Sequence, residues 1–332
     1  MYQIDSSGSV PTMPAPAEAA TPGWWSDGNP ATGESATIID CDWFNALQAE
    51  LLNLLAAAGI TPSKTADSQV LEAIQALAQG PYTVRGLHGK NNAATPNTQF
   101  DFSADLAVFR NPSTGGVNSI SSISVITNNV LTAGPAANGR DQTAVFPASS
   151  WVHFYFIYGA GTVTTISSLS APPTGPTLSA GYTAWAYIGA VYYGSGSTLA
   201  QGNFRGSWFE YQSPVSVVTS GSSTSVTPVA LTGVVPVNAL LAELAIPNLS
   251  VTSTSGGAYS VTCQISVETV GVVMQIGLQG GGTASWIFGV AGTAKRVSNL
   301  SQGFNYQLIV ATGSDPQVSV VCPGYSVPNG GE

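Results

Sequence analysis

The chain has 332 residues, enough for two or three domains with proper cores, yet only 8% of them are charged, against about a quarter in ordinary soluble domains. Gly, Ser, Thr, Ala and Val take the place of charge, which suits extracellular β-proteins and fibrous assemblies whose subunits bury one another. The net charge of −9 is concentrated in residues 1–80, where nine acids (Asp5, Glu18, Asp27, Glu34, Asp40, Asp42, Glu50, Asp67, Glu72) face one base, Lys64; eight acids and seven bases follow, which argues against a basic stripe for nucleic acid.

Residues 1–23 carry Pro11, Pro14, Pro16 and Pro22 among small residues and are expected to form an extended arm that orders on a partner. Residues 24–80 hold the strongly helical part of the chain. Asp40 can cap a helix whose Trp43, Phe44, Leu47, Leu51, Leu54, Leu55 and Ala58 share one arc of about 120°. That face demands burial. Gly59 and Pro62 stop this helix, and a second one follows, capped by Asp67 or Ser68, with Val70, Leu71, Ile74 and Leu77 on its apolar side and Gly80-Pro81 at its end. The short connection predicts an antiparallel hairpin, too small to bury both faces alone and so a docking unit for another subunit or another part of the chain.

The segment Trp25 to Gly80 contains Gly28-Asn29-Pro30-Ala31-Thr32-Gly33, Asp42-Trp43-Phe44-Asn45-Ala46, Glu50-Leu51-Leu52-Asn53 and Ala57-Ala58-Gly59-Ile60-Thr61. On these motifs it resembles a module at the N-terminus of many bacteriophage and prophage tail-fibre proteins. The resemblance covers about a sixth of the chain and implies attachment to the virion, with Trp25, Asn29, Pro30, Trp43, Phe44, Leu47 and Leu51 as the attachment residues. A weaker resemblance, carried by Phe109-Arg110-Asn111-Pro112, Gly134 to Gln142 and Trp185 to Val191, points to β-domains of the same class of phage protein.

Residues 81–99 read as a polar linker with Arg85, His88 and Lys90 spaced by Gly86 and Gly89. From Phe100 short apolar runs alternate with Gly, Pro, Asn and Ser clusters, the pattern of a sandwich or barrel. In a first β-sandwich domain, 100–213, Trp151 to Tyr158 predicts a central strand, Ala171 to Pro176 a rigid loop, and Tyr182–Tyr193 and Phe204–Tyr211 further strand regions. Ser213 to Thr227 marks a boundary to a C-terminal sandwich, 214–332, with strands at Val234–Ile246, Tyr259–Glu268, Val270–Leu278, Trp286–Val290, Phe304–Ala311 and Gln317–Val321, and a flexible loop at Gly280-Gly281-Gly282. Neither a heptad seam nor a Gly-X-Y period is present, so any fibre is short and globular.

Chemistry finds little footing. His88 lies in the linker and His153 in an aromatic strand, no Gly-x-Ser-x-Gly elbow occurs, and nothing pairs the acids Asp101, Asp105, Asp141, Glu210, Glu243, Glu268 and Asp315 for glycosidase work. Cys41, Cys263 and Cys322 lack metal-ligand spacing; the last two can approach one another but are expected as free buried thiols, since phage proteins assemble in a reducing cytoplasm. No cofactor, metal site, signal peptide or transmembrane run is expected. Among the aromatics, Tyr182, Trp185, Tyr192, Tyr193, Trp208 and Tyr211 are mostly core, and Tyr259 and Tyr325 are the candidate receptor contacts in exposed loops.

The expected fold is mainly β with a small N-terminal helical hairpin and two β-sandwich-like domains; the homotrimer is implied by the resemblance. The expected function is a non-enzymatic tail-fibre or receptor-binding protein on the phage tail or baseplate, binding a host surface glycan or protein without membrane insertion. An adaptor carrying another fibre and a polysaccharide depolymerase are the alternatives.

Overall fold

A computed structural model of the chain describes residues 2–79, 83–252, 257–267, 271–281, 294–298 and 302–329. They divide into two compact units, Met1–Gly80 with Asn111–Asn118, and Pro81–Arg110 with Ser119–Glu332.

The first unit holds α1 (Cys41–Ala57) and α2 (Gln69–Gln79). Asp40 caps α1 as expected, its carboxylate accepting from the Trp43 amide at 2.9 Å. The C-terminus closes as a Schellman motif: the Gly59 amide donates to Ala56 at 3.0 Å and the Ile60 amide to Leu55 at 2.9 Å. Gly59 has a φ of +70°, and a Cβ there would lie 2.2 Å from the Cα of Gly116, so only glycine fits. Ser68 precedes α2, its hydroxyl donating to the Glu72 carboxylate one turn on. The connection is fastened by Gln69, which sequence reasoning did not single out: its amide donates to Thr61 O at 2.7 Å and accepts from the Ser63 amide at 2.9 Å. Leu55, Ala58 and Ala73 meet at the helix contact, with Leu54, Ile60 and Val70 packed around them. Residues 2–23 are exposed and without regular structure. The Ile4 amide donates to Gln48 at 2.9 Å, the Ala17 amide to Asp42 at 2.7 Å, and Lys64 pairs with Asp5 at 2.6 Å.

In chain order the strands are β1 Val84–Arg85, β2 His88–Asn91, β3 Gln99–Arg110, β4 Val117–Asn129, β5 Gly139–Arg140, β6 Ser150–Gly159, β7 Thr162–Ser168, β8 Ala184–Tyr193, β9 Gly202–Arg205, β10 Trp208–Gly221, β11 Thr227–Ala230, β12 Leu241–Thr252, β13 Ala258–Val267, β14 Gly271–Gly281, β15 Ala294–Ser298, β16 Gly303–Thr312 and β17 Ser314–Ser326. Among the described residues they form two sheets. The larger runs β15-β12-β17-β10-β9-β2-β3-β8-β6-β7-β5, with β1 and β4 also on β3; the smaller is β11-β16-β13-β14. Among the described residues the protein is thus mainly β with two helices.

The run from Trp151 to Tyr158 is the central strand its sequence predicts: β6 lies between β7 and β8, and Val152 to Ile157 are all buried. In the C-terminal half, β12, β13, β16 and β17 alternate buried and half-exposed residues over much of their length, as strands with one face on a core do. Leu249, Val261, Cys263, Leu308 and Val318 from both sheets join one continuous core with Phe102, Phe154 and Trp185.

Three expectations change. The polar linker 81–99 contains β1 and β2: Leu87 and Gly89 face inward, and an ideal Cβ on Gly89 would stand 3.0 Å from both Phe102 and Phe204, so this glycine serves close strand packing. The expected boundary at 213/214 falls inside β10, which pairs with β9 on one side and β17 on the other. Gly280 and Gly281 belong to β14 opposite Tyr259 and Ala258 instead of forming a loop. The strand expected at Trp286–Val290 lies outside the described residues.

Candidate functional site

The residues expected to attach the chain to the virion all lie in the first unit, and local chemistry dictates their arrangement. Ser26 to Thr37 folds as a small hairpin around the Gly-Asn-Pro-Ala-Thr-Gly sequence, with Asn29 and Glu34 exchanging backbone hydrogen bonds at 3.0 Å. The Asn29 side chain accepts from the Ala31 amide at 3.0 Å, an Asx turn that leaves Pro30, which has no amide to donate, at the bend. The Thr32 hydroxyl returns to Asn29 O at 3.2 Å. Gly28 has a φ of +70°, and a Cβ on it would fall 2.5 Å from the Ala36 nitrogen, which explains why glycine stands there.

This hairpin leads into an aromatic corner at the start of α1. Trp25 meets Trp43 edge-on at 5.5 Å between ring centres, and Trp43 meets Phe44 edge-on at 5.6 Å. Leu47 continues this row and Leu51 follows it, half-buried. The arc expected to be buried is therefore closed at only one end: Leu55 and Ala58 are buried, while Trp43, Phe44 and Leu47 remain 47%, 52% and 42% exposed. On α2 it is Ala73 that faces α1, and Leu71, Ile74 and Leu77 stay open. The two helices touch along one narrow line, so among the described residues much of both apolar arcs stays exposed. Trp43, Phe44 and Leu47 thus form an exposed apolar row along one side of α1.

The two candidate receptor tyrosines are corrected by the structure. Tyr259 is a buried residue of β13, and Tyr325 is a fully buried residue of β17 whose ring stacks on Phe209 at 5.0 Å and whose hydroxyl donates to Ala190 O at 2.7 Å. Gly324, beside Tyr325, is a strand residue where a bulky ring passes overhead, Trp208 lying within 3.0 Å of where its Cβ would be, and the Tyr259 ring crosses the position of Gly280 on the neighbouring strand.

His153 sits buried in β6, its Nδ1 3.0 Å from the Tyr187 hydroxyl, which accepts in turn from Asn238 at 2.9 Å; burial lowers its pKa to about 4. His153, Tyr187 and Asn238 thus form a packed polar chain within an aromatic core. Cys263 and Cys322 are free and buried, and burial raises their thiols to about 11 and about 12. Cys41 is free and exposed. Among the described residues, no group of three or more His, Cys, Asp or Glu side chains is placed to hold a metal ion, and no helix is long and apolar enough to cross a membrane.

Fold and site define a mainly β chain headed by a helical hairpin that presents an uncovered aromatic corner. Two curated proteins are similar to part of it. The Mu-like prophage FluMu defective tail fiber protein of Haemophilus influenzae is 36% identical over 81 residues, and Tail fiber protein S of Escherichia phage Mu is 39% identical over 79 residues, or 24% and 23% of this chain. The matches span only 13% and 15% of those relatives' own lengths. No protein-family model matches the chain, and no solved structure does. The partial relatives support a phage tail-fibre family, the one that the motifs from Trp25 to Gly80 resemble.

Proposed function

We propose that the chain acts as a tail-fibre or receptor-binding protein of a phage or prophage, held to the tail or baseplate through its first unit and mediating adhesion to the host surface without enzymatic activity. The observation that carries this reading is the uncovered row Trp25, Trp43, Phe44 and Leu47, continued by Leu51, on a hairpin too small to be a free-standing domain. Burying such a row against another protein removes apolar surface from water at about 25 cal/mol per Å2, the dominant favourable contribution in most protein association. The partial likeness to two proteins named as tail fibres supports the phage tail as the partner. A homotrimer fits the low charge of the chain, and three weak sites on one particle gain effective concentration that one site lacks.

The test is made on particles. Antibodies raised against the full chain, carried on gold, are applied to particles purified from cells bearing the gene and viewed by electron microscopy. Gold at the tail end supports the reading, and purified particles that carry tails without gold overturn it. Light scattering of the purified full chain gives the number of copies, three being expected.

A further inference from the structure

On the outer face of the large sheet, β9, β2 and β3 lie side by side and their registers align two rows of polar residues. Arg205, His88 and Ser103 form one row, and Asn203, Lys90 and Asp101 the other. The twofold repeat of a strand sends all six to one face, while Gly89, Phe102 and Phe204 between them are buried on the other. With Val125 they line a groove of about 350 Å3. A second depression of about 280 Å3, which includes Gln212, adjoins it and shares Lys90 and Asn203.

Two features separate this groove from ordinary solvated surface. In a chain with only eight Lys and Arg residues and two histidines, it gathers Lys90, Arg205 and His88, although the protein as a whole is acidic. Lys90 and Arg205 are also unspent. Lys90 stands directly across from Asp101, yet that carboxylate accepts from Asn92 at 3.0 and 3.1 Å and from the Thr127 hydroxyl at 2.6 Å, and among the described residues the ion pairs are Lys64–Asp5 and Arg296–Glu243 alone.

We infer that this groove binds an acidic surface polysaccharide, with Lys90 and Arg205 holding a carboxylate or phosphate of the glycan and Asn203, Ser103 and Asp101 meeting its hydroxyls. The guanidinium of Arg205 offers a planar fork for either anion, Lys90 a compact positive charge beside it, and the amide and hydroxyl groups both donate and accept as sugar hydroxyls require. The held carboxylate of Asp101 supplies an acceptor and deters ligands whose anion falls on that row. Two joined depressions suit an extended chain of sugars better than a single small ion. The inference deepens the adhesin reading, on which its biological meaning rests, by naming the ligand class and its site.

The full-length protein is titrated with three immobilised probes: oligogalacturonate for a carboxylate, phosphomannan oligosaccharide for a phosphate, and neutral maltohexaose. Binding to an acidic probe, weakened by added salt and roughly tenfold or more weaker in K90Q/R205Q, is the expected result, with maltohexaose ignored. Val125→Glu, which places a carboxylate in the groove at an exposed position, should lower binding in the same way, and circular dichroism of each variant checks the fold. Equal binding of variant and wild type, preference for maltohexaose, or binding to none of the probes overturns the site. The same proteins are applied to a panel of bacterial strains. Cell binding retained by a folded K90Q/R205Q sinks the groove and leaves the adhesin standing, whereas acidic-probe binding by a protein that adheres to no strain sinks the adhesin and leaves the groove.

Discussion

Tyr325 donates its hydroxyl to the backbone carbonyl of Ala190, 2.7 Å away and 135 residues earlier in the chain. Around this bond the Tyr325 ring stacks on Phe209 and meets Trp151 edge-on, and a few residues later Asn329 donates to Ile188 O at 3.0 Å and Gly206 O at 3.1 Å. The residues from Tyr325 to Asn329 are thereby part of the core that β6 and β8 begin. Tyr325→Phe should cost about 1 kcal/mol, the net value of one buried hydrogen bond, and Tyr325→Ala about 3–5 kcal/mol through the cavity. Urea unfolding followed by tryptophan fluorescence should show residues 100–213 and 214–329 melting together, both variants shifting that one transition. Two transitions, with Tyr325→Ala moving only one, would show that these segments unfold separately.

His153 makes stability depend on pH. Its folded pKa of about 4 lies below the ordinary 6.5, so between those values the unfolded chain binds the extra proton and stability falls as pH falls. The contribution is complete above about pH 6.5 and is lost toward pH 4; from pH 7 to pH 5, before most carboxylates titrate, the loss is about 2 kcal/mol. Urea midpoints at pH 7 and pH 5 measure it. His153→Gln should be less stable at pH 7 but lose most of the difference between the two pH values, and an undiminished slope in that variant would assign the effect elsewhere.

Local signals were legible where they are dense. The cap at Asp40, the glycine stop at Gly59 and the aromatic run of β6 each carry their cause within a few neighbouring residues, and each stands in the structure as the sequence predicts. What could not be read depends on which strands become neighbours. Lys90, Asp101 and Asn203 are scattered over more than a hundred positions and meet only because β2 pairs with both β3 and β9. Tyr259 and Tyr325 likewise depend on strand pairing: Gly280 lies across from Tyr259 and Gly324 beside Tyr325, and within a sheet these glycines are the room a neighbouring ring requires.

The thiols should separate by reactivity. Only the thiolate attacks a disulfide reagent, and burial holds Cys263 and Cys322 as protonated thiols well above neutral pH, whereas Cys41 is exposed at the start of α1. Treatment of the native protein with Ellman's reagent at pH 8 should release one equivalent quickly, and all three after denaturation without reductant. Only one thiol in the denatured protein would mean that Cys263 and Cys322 are joined.

The helical hairpin offers a way to part folding from docking. Leu55 is fully buried where α1 meets α2, so Leu55→Ala should cost about 2–5 kcal/mol and reduce the helical signal of the full chain on mild heating. Phe44 and Leu47 lie on the uncovered part of the same arc, and Phe44→Ser with Leu47→Ser should change stability by less than about 1 kcal/mol while removing the protein from purified particles. The measurement pairs circular dichroism of the purified variants with gold labelling of particles made in their presence. If the Phe44→Ser and Leu47→Ser protein melts as early as Leu55→Ala, the row supports the fold of its own chain. If it stays folded and still decorates the tail, attachment uses another surface, and the exposed aromatics must answer to a different partner.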